Sequence, residues 1–182
     1  MGLGYKQSQG DHTLFIKHSV SGGAIILLVY VDDIIITGDD KKEQQVLSQC
    51  LAKEFEIKTL GKLKYFLGIE VVHSKKGIFI SQQKYIIDLL KETCKTVCIP
   101  TSTLVDPNIK LGSAEEDVAM DKEMYQRLMG RLIYLSHIRP DIAFVVSLIN
   151  QFMHQPKEAH LQATLRIVRY LKGTPGRGIL FK

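Results

Sequence analysis

The sequence predicts an α+β fold in which antiparallel hairpins come first and helices follow. The first third alternates short β-branched runs with turns rich in Gly and Asp, a pattern typical of hairpins. The last third repeats apolar residues at helical spacing, as amphipathic helices do. A chain of 182 residues that is 45% hydrophobic and 24% charged has the composition of an ordinary globular protein.

The hairpin region begins with a predicted strand at 12–18 and a predicted turn at 21–23. Residues 24–31 and 34–37 are apolar and rich in β-branched side chains, so they predict two strands that meet at the Asp pair 32–33.

A helix and a second hairpin are predicted next. Either Asp39 or Asp40 can cap the helix, whose apolar residues recur near helical spacing at Val46, Leu47, Leu51 and Phe55. Residues 63–73 and 77–81 then predict two strands joined by a turn at 74–77.

The remaining chain is predicted to be a helix, a linker and a helical region. The helix at 82–92 has one apolar side, formed by Tyr85, Ile86, Leu89 and Leu90. Residues 99–123 contain two Pro and an acidic run, so they predict a loop or linker. Three helices follow, and 177–182 have the pattern of a strand that has only begun.

Each of the three last helices has its own signal. The first has an apolar stripe at Tyr125, Leu128, Met129, Leu132 and Leu135. The second begins at Pro140, which suits a first helical position, and reaches about residue 153. The third has a stripe at Leu161, Leu165, Val168 and Leu171 and ends at Gly173.

The charge is concentrated near the C-terminus. Residues 139–182 contain seven Lys or Arg and two Asp or Glu, so they carry the whole net charge of +5. This distribution favours an anionic partner for the helical region.

No signal for export or membrane insertion is visible. The longest apolar run, 24–31, is far too short to span a bilayer. Three cysteines argue against a disulfide framework, and Cys94 with Cys98 lacks the second pair that a zinc site needs. We expect a soluble intracellular protein, cytoplasmic or nuclear, without a targeting signal.

The Asp pair 32–33 is the strongest candidate for chemistry. Two carboxylates at the tip of a hairpin attract a divalent cation, because like charges held close need a counter-charge. Mg²⁺ prefers such oxygen ligands and commonly completes its shell with phosphate oxygens. Asp is also frequent in polar turns, so the pair alone leaves a plain hairpin turn open.

The wider sequence resembles a known family. The four residues Tyr30-Val31-Asp32-Asp33 resemble the palm signature of reverse transcriptases. Six blocks, in the same order, resemble the Pol polyprotein of copia-type LTR retrotransposons over essentially the whole chain: DHTLFIKH, LLVYVDDIIITG, LAKEFEIKTLGKLKYFLGIEV, GIFISQQKYIIDLL, YQRLMGRLIYLSHIRPDIAFVVSLINQFM and RIVRYLKGTPGRGILF.

The resemblance implies an organisation for the chain. Residues 1–81 would be a partial palm with the YVDD hairpin, and 82–98 would begin the thumb. The linker would be 99–123, and 124–182 would be a helical connection towards an RNase H domain. Most of the fingers, the first palm strands and RNase H itself would be absent. With part of the palm sheet missing, we expect the strand at 24–31 to expose an unpaired edge and therefore to promote self-association.

The resemblance also implies roles at the YVDD hairpin. Asp32 would be a direct metal ligand and Asp33 would support the site. Tyr30 and Val31 would lie beside the primer end and the incoming nucleotide. The full-length enzyme would use two Mg²⁺ or Mn²⁺ ions for nucleotidyl transfer, with dNTPs and an RNA/DNA template–primer as partners.

Further nucleic-acid contacts are implied outside the YVDD hairpin. The hairpin at Phe66, Leu67 and Gly68 resembles the primer grip, although Phe66, Leu67 and Ile69 would equally suit a plain core. Arg166, Arg169 and Lys172 share one helix face and could neutralise phosphates, although a solvated face has the same pattern. Arg139-Pro140-Asp141 matches a family block and could equally be a helix start, with Asp141 in its first turn.

One carboxylate of the family's catalytic set has no counterpart. The family needs a further Asp on an earlier palm strand, and Asp11 is the sole Asp before Tyr30, in a stretch that matches a different segment. We therefore expect little or no polymerase activity from this chain alone. A non-catalytic nucleic-acid-binding remnant and an inert folded fragment are the alternatives.

Overall fold

The computed structural model describes residues 4–19, 22–105 and 121–182. It divides into two units, Met1–Leu63 and Lys64–Lys182. Each unit contains one four-stranded antiparallel sheet. The α+β class predicted from the sequence is therefore confirmed.

The first unit is a meander with one helix. Its strands pair in the order β1-β2-β3-β4, and the helix α1 follows β4. Their bounds are β1 Lys6–Gln7, β2 Leu14–His18, β3 Ala24–Tyr30, β4 Asp33–Gly38 and α1 Lys41–Glu54.

Helix α1 packs on one face of this sheet. Lys17 and Ile25 are cross-strand partners and so share a face. Lys17 forms an ion pair with Glu43 of α1 at 2.5 Å. Ile25 and Leu47 of α1 are buried, and Asp40 caps α1 by accepting from the backbone N–H groups of residues 42 and 43.

The predicted apolar stripe of α1 is only partly correct. Leu47 is buried, whereas Val46 is 51% exposed and Phe55, just past the end of the helix, is 60% exposed. The spacing of apolar residues identified the helix, but only part of the stripe is covered.

The second unit places a sheet beside four helices. Its strands pair in the order β5-β6-β7-β8, so the last strand of the chain pairs with β7. The bounds are β5 Tyr65–Phe66, β6 Ile69–Ser74, β7 Gly77–Ser81, α2 Gln83–Glu92, α3 Lys122–Ser136, α4 Pro140–Asn150, α5 Glu158–Gly173 and β8 Gly178–Phe181.

One hydrophobic cluster joins the four helices. The predicted stripes of α3 and α5 supply much of it, and the side of α2 formed by Ile86, Leu89 and Leu90 joins them. Helix α4 contributes Ile142, Val145, Val146 and Ile149 and ends at Asn150, three residues before the predicted end.

Two predictions about the strands need correction. The single strand predicted at 63–73 is two strands, β5 and β6, because the chain turns at Leu67 and Gly68. The strand β3 is not an edge, because it pairs with β2 on one side and β4 on the other. Among the described residues the open edge next to this hairpin belongs to β4.

Two predicted segments fall partly outside the described residues. Residue 21 of the turn predicted at 21–23 lies outside them; of the described residues, the Gly22 N–H donates to the Ser19 carbonyl oxygen and the Ser19 N–H donates to the Gly23 carbonyl oxygen. The central part of the predicted linker, 106–120, also lies outside the described part of the chain.

Candidate functional site

The YVDD residues form the tip of the β3–β4 hairpin. The strand register ends with Tyr30 opposite Asp33, so Val31 and Asp32 are the two residues of the turn. Tyr30 is 44% and Val31 82% exposed, and both carboxylates are exposed as well. Because water surrounds them, two adjacent like charges are tolerated here, and both remain accessible to a ligand.

The backbone of this tip is strained. Val31 has φ 49°, a left-handed conformation that is a true outlier for a β-branched residue. Its cost is about 1–2 kcal/mol. Since Val31 is 82% exposed, burial of its side chain does not offset this cost. Strain of this kind concentrates at functional sites, which favours a functional turn over a plain polar one.

At the end of the hairpin opposite the YVDD turn, a glycine fixes the pairing register of β3 and β4. Gly38 lies opposite Ile25 with φ 149°, and a Cβ there would come within 2.1 Å of the Ala24 carbonyl oxygen. Only glycine therefore allows this close approach. The two apolar strands thus carry the carboxylates at one end and are fixed at the other.

The connection between β1 and β2 lies at the same end of the sheet as the YVDD turn. The Val29 N–H donates to the Thr13 carbonyl at 2.9 Å, just before this connection. Asp11, which lies within it, accepts hydrogen bonds from Thr13 Oγ1 at 2.6 Å and Thr13 N at 2.9 Å. These bonds lower the pKa of Asp11, and they tie its carboxylate to the local turn.

The acidic residues do not assemble a complete metal site. Within the described ranges, no group of three or more His, Cys, Asp or Glu side chains could hold a metal ion. Asp32 and Asp33 are therefore two neighbouring carboxylates at an exposed tip, and by number they are only part of the set that the family resemblance implies.

The second candidate feature is the turn between β5 and β6. Phe66 pairs with Ile69, which leaves Leu67 and Gly68 as a two-residue turn with φ 49° and 80°. Positive φ at both positions is characteristic of a type I′ hairpin turn. Leu67 is 42% exposed and Phe66 is half-buried, so the turn presents Leu67 to its surroundings.

Two tyrosines contact this turn, and sequence reasoning did not assign them a functional role. The Tyr134 hydroxyl donates to the Leu67 carbonyl oxygen. A Cβ on Gly68 would lie 3.3 Å from the Tyr85 ring, whose pKa is raised by burial. Tyr85 was predicted as part of an apolar stripe. Tyr134 lies outside the predicted apolar stripe of α3. A tyrosine hydroxyl at such a position is the sequence signal that could have identified this contact.

The basic residues of α5 contact a nearby loop. Arg166 donates to Thr103 through Nε–O at 3.2 Å and Nη2–Oγ1 at 2.6 Å. Lys172 Nζ donates to the Cys98 carbonyl at 2.6 Å, and the Arg169 carbonyl accepts from the Thr101 N–H at 3.4 Å. Two of the three side chains predicted to bind phosphate, those of Arg166 and Lys172, therefore hold residues 98–103 on α5, whereas Arg169 contacts this loop through its backbone.

Comparisons with known proteins point to one family. The family model described as reverse transcriptase (RNA-dependent DNA polymerase) matches residues 1–107. The chain is 42% identical over 132 residues to the retrovirus-related Pol polyprotein from transposon RE1 of Arabidopsis thaliana, covering 72% of the chain and 9% of the polyprotein.

Two further relatives differ in the share of their own length that the chain covers. The chain is 33% identical over 140 residues to the Pol polyprotein from transposon TNT 1-94 of Nicotiana tabacum, covering 72% of the chain and 10% of the polyprotein. It is 32% identical over 174 residues to a putative transposon Ty5-1 protein of Saccharomyces cerevisiae, covering 94% of the chain and 56% of that protein.

The chain thus spans about a tenth of the Pol polyproteins that it matches. No solved structure matches it. In the part of the chain that the structure describes, no helix is long and apolar enough to cross a membrane.

Proposed function

We propose a polymerase role from the premise that this chain belongs to the reverse transcriptase (RNA-dependent DNA polymerase) family and corresponds to part of the copia-type retrotransposon Pol region. Its β3–β4 hairpin presents two of the carboxylates that would hold the metal ions for nucleotide addition to a primer on an RNA template. The whole polyprotein carries out this reaction, and this chain supplies part of its centre.

The observation that carries the proposal is the position of Asp32 and Asp33. They stand at the exposed tip of a two-residue turn with Val31 strained beside them. Tyr30, 44% exposed, ends the strand that leads to this tip. In this proposal Tyr30 and Val31 contact the primer end and the incoming dNTP.

The carboxylates would hold divalent cations, Mg²⁺ or Mn²⁺. Asp32 is the direct ligand and Asp33 supports it. Such ions activate the attacking hydroxyl and stabilise the leaving group in phosphoryl transfer. The described residues offer no third carboxylate at this tip, so the complete centre needs one from elsewhere in the polyprotein.

The open edge of β4 is a suitable place for that carboxylate. A strand added to a sheet edge lies about 4.8 Å away, with opposed Cβ atoms about 5 Å apart. Asp33 is on β4, so an Asp on an added strand would reach it. The same edge would favour self-association when no such strand is present.

The second unit would act on the template–primer. In this proposal residues 1–81 are palm, 82–98 begin the thumb, 99–123 are the linker and 124–182 are the connection. The β5–β6 turn, with Leu67 exposed, contacts the primer near its 3′ end.

A primer-extension assay tests the polymerase role. The chain alone, with template–primer, dNTPs and Mg²⁺, is expected to incorporate no nucleotide. Joined to the preceding Pol segment of a relative, it is expected to extend the primer, and Asp32→Asn is expected to abolish this. The matched control is Asp39→Asn, since Asp39 is exposed at the far end of the same hairpin.

Two outcomes would contradict the proposal. Robust extension by the chain alone, lost on Asp32→Asn, would show that a third carboxylate from outside is unnecessary. Extension by the joined protein that persists in Asp32→Asn would remove the YVDD tip from the reaction.

The second candidate is a non-catalytic nucleic-acid-binding role. It is favoured by the incomplete carboxylate set and by the positive charge of residues 139–182. Salt-dependent binding to an RNA–DNA hybrid, combined with no extension by the joined protein, would support this role over the polymerase role. Absence of both would indicate an inert fragment.

A further inference from the structure

The turn between β5 and β6 is fixed from two helices at once. The Tyr134 hydroxyl, on α3, donates to the Leu67 carbonyl oxygen. Gly68 faces the ring of Tyr85, on α2, at 3.3 Å from where a Cβ would be, and the Tyr134 ring at 3.9 Å. The two rings pack edge to face with centroids 5.4 Å apart, so they form a single platform under the turn.

The sequence of this turn does not hold the conformation by itself. Type I′ turns favour Asn-Gly or Asp-Gly, because both central residues need positive φ. Here the first is Leu67 at φ 49°, which has no side-chain oxygen to stabilise the turn locally. The hydrogen bond from Tyr134 supplies a constraint from outside the hairpin, at the carbonyl of the strained residue.

The platform is itself held in place. The Arg131 guanidinium lies 5.7 Å from the centre of the Tyr85 ring, in cation–π range. Arg131 forms an ion pair with Glu92 of α2 at 2.7 Å, so α2 and α3 are joined next to the two tyrosines. The position of the turn therefore follows the position of both helices.

We propose that Tyr134 is a positioning residue for primer binding, whose hydroxyl fixes the Leu67 carbonyl and, with the Tyr85 ring, sets where the turn meets the primer's 3′ end. This inference rests on the proposed function, in which the same turn contacts the primer. Tyr134 acts through Leu67 and does not itself touch the nucleic acid.

The test compares two Tyr→Phe variants of the full chain. Tyr134→Phe removes the hydroxyl and keeps the ring. The matched control is Tyr125→Phe, because the Tyr125 hydroxyl, also on α3, donates to a backbone carbonyl, that of Ile149, at 3.1 Å. Each variant is measured against two probes: an RNA–DNA hybrid with a recessed primer 3′ end and a blunt hybrid of equal length.

The ratio of the two dissociation constants isolates recognition of a recessed 3′ end, where the template continues past the primer, because backbone phosphates and a duplex end are present in both probes. Tyr134→Phe is expected to lower the preference for the recessed end by up to about fivefold, the effect of one ordinary hydrogen bond. Tyr125→Phe is expected to leave this preference unchanged. Gly68→Ala, strained at φ 80° and crowded by Tyr85, is expected to act like Tyr134→Phe.

Amide hydrogen exchange gives a second readout on the same proteins. Exchange at residues 67–69 is expected to rise about fivefold in Tyr134→Phe and to stay unchanged in Tyr125→Phe. A Tyr134→Phe variant with unchanged exchange at the turn, or with an intact 3′-end preference, would overturn the inference. A wild-type chain without any 3′-end preference would instead overturn the proposed contact between this turn and the primer, and the inference with it.

Discussion

The Arg139 guanidinium binds the Asp141 carboxylate through two contacts of 2.8 Å, from Nε and from Nη2. The Arg139 side chain is only 1% exposed. Its remaining donors reach the carbonyl and hydroxyl oxygens of Thr174, each at 2.8 Å. The pair therefore ties the start of α4 to the end of α5, just before the strand β8.

Asp141→Asn is expected to destabilise the second unit by about 3 kcal/mol. Removing one partner of a buried pair leaves an uncompensated charge, and such changes cost about 3–5 kcal/mol. The low end applies because Asp141 is 28% exposed. Denaturation followed by far-UV circular dichroism measures the loss. Asp88→Asn is the control, since its ion pair with Lys91 is exposed and is worth less than 1 kcal/mol.

The same carboxylate predicts an acid-dependent loss of stability. The hydrogen bonds from Arg139 are the main cause that lowers the pKa of Asp141 from 3.8 to about 2. The folded pKa lies below the unfolded one, so the stabilisation is complete above about pH 4 and is lost as the pH falls towards 2. The difference corresponds to roughly 2 kcal/mol. We expect the stability gap between the wild type and Asp141→Asn to narrow over this range.

The control for the acid effect is the variant itself. Asp141→Asn lacks the titrating group, so its stability is expected to fall less steeply between pH 4 and 2. Parallel curves for the two proteins over this range would contradict the assignment to Asp141.

The Arg139–Asp141 pair shows what the sequence predicts and what it does not. Pro140 and Asp141 predicted a helix start, and α4 does begin at Pro140 with an acid in its first turn. The burial of Arg139 was not predictable, because its partner Thr174 lies 35 residues away. Local patterns report local structure, whereas this contact depends on how α4 and α5 pack.

The strands show the same division. Hydrophobic patterning located the β3–β4 hairpin, and it located 177–182 as a strand without indicating that β8 pairs with β7. It did not find β1, a two-residue strand of Lys6 and Gln7, because only pairing with β2 makes it a strand. The family resemblance predicted a hairpin at Leu67, whereas turn statistics did not, since Leu rarely has positive φ.

Cys94→Gly is expected to stabilise the second unit by about 0.5–1 kcal/mol. Cys94 follows the end of α2 with φ 53°. The next residue's N–H bonds to the Leu90 carbonyl at 2.9 Å and the Cys94 N–H to the Lys91 carbonyl at 3.1 Å, which together form a Schellman motif. Glycine is the usual residue at this left-handed position because it lacks Cβ strain.

Thr93→Gly is the matched control at the neighbouring position. Thr93 has φ −81°, so glycine relieves no strain there, and its hydroxyl donates to the Leu89 carbonyl at 2.9 Å. We expect this variant to destabilise the protein. Thermal denaturation measures whether each variant is more or less stable than the wild type. A loss of stability in Cys94→Gly would contradict the strain argument.

Val31→Gly is expected to stabilise the first unit by about 0.5–1 kcal/mol. Glycine removes the strain of the left-handed conformation at Val31, worth about 1–2 kcal/mol, and the added freedom of the unfolded chain offsets part of the gain. Val29→Gly is the control, because Val29 is inside β3 and glycine weakens strand interiors. Amide exchange across the β3–β4 pairs measures both, and slower exchange in Val29→Gly or faster exchange in Val31→Gly would contradict the prediction.

Arg166→Gln and Lys172→Gln separate two roles of the α5 basic face. If these side chains also bind phosphates, each variant is expected to lower the slope of log affinity for an RNA–DNA hybrid against log salt by about 1. Because Arg166 also donates to Thr103 and Lys172 to Cys98, each variant is also expected to speed amide exchange at Thr101. Arg127→Gln is the control, since Arg127 is 66% exposed on α3 and paired with Glu92. Faster exchange at Thr101 with an unchanged salt slope would show that Arg166 and Lys172 hold the loop and do not bind phosphates. A lower salt slope would show that they contact the nucleic acid.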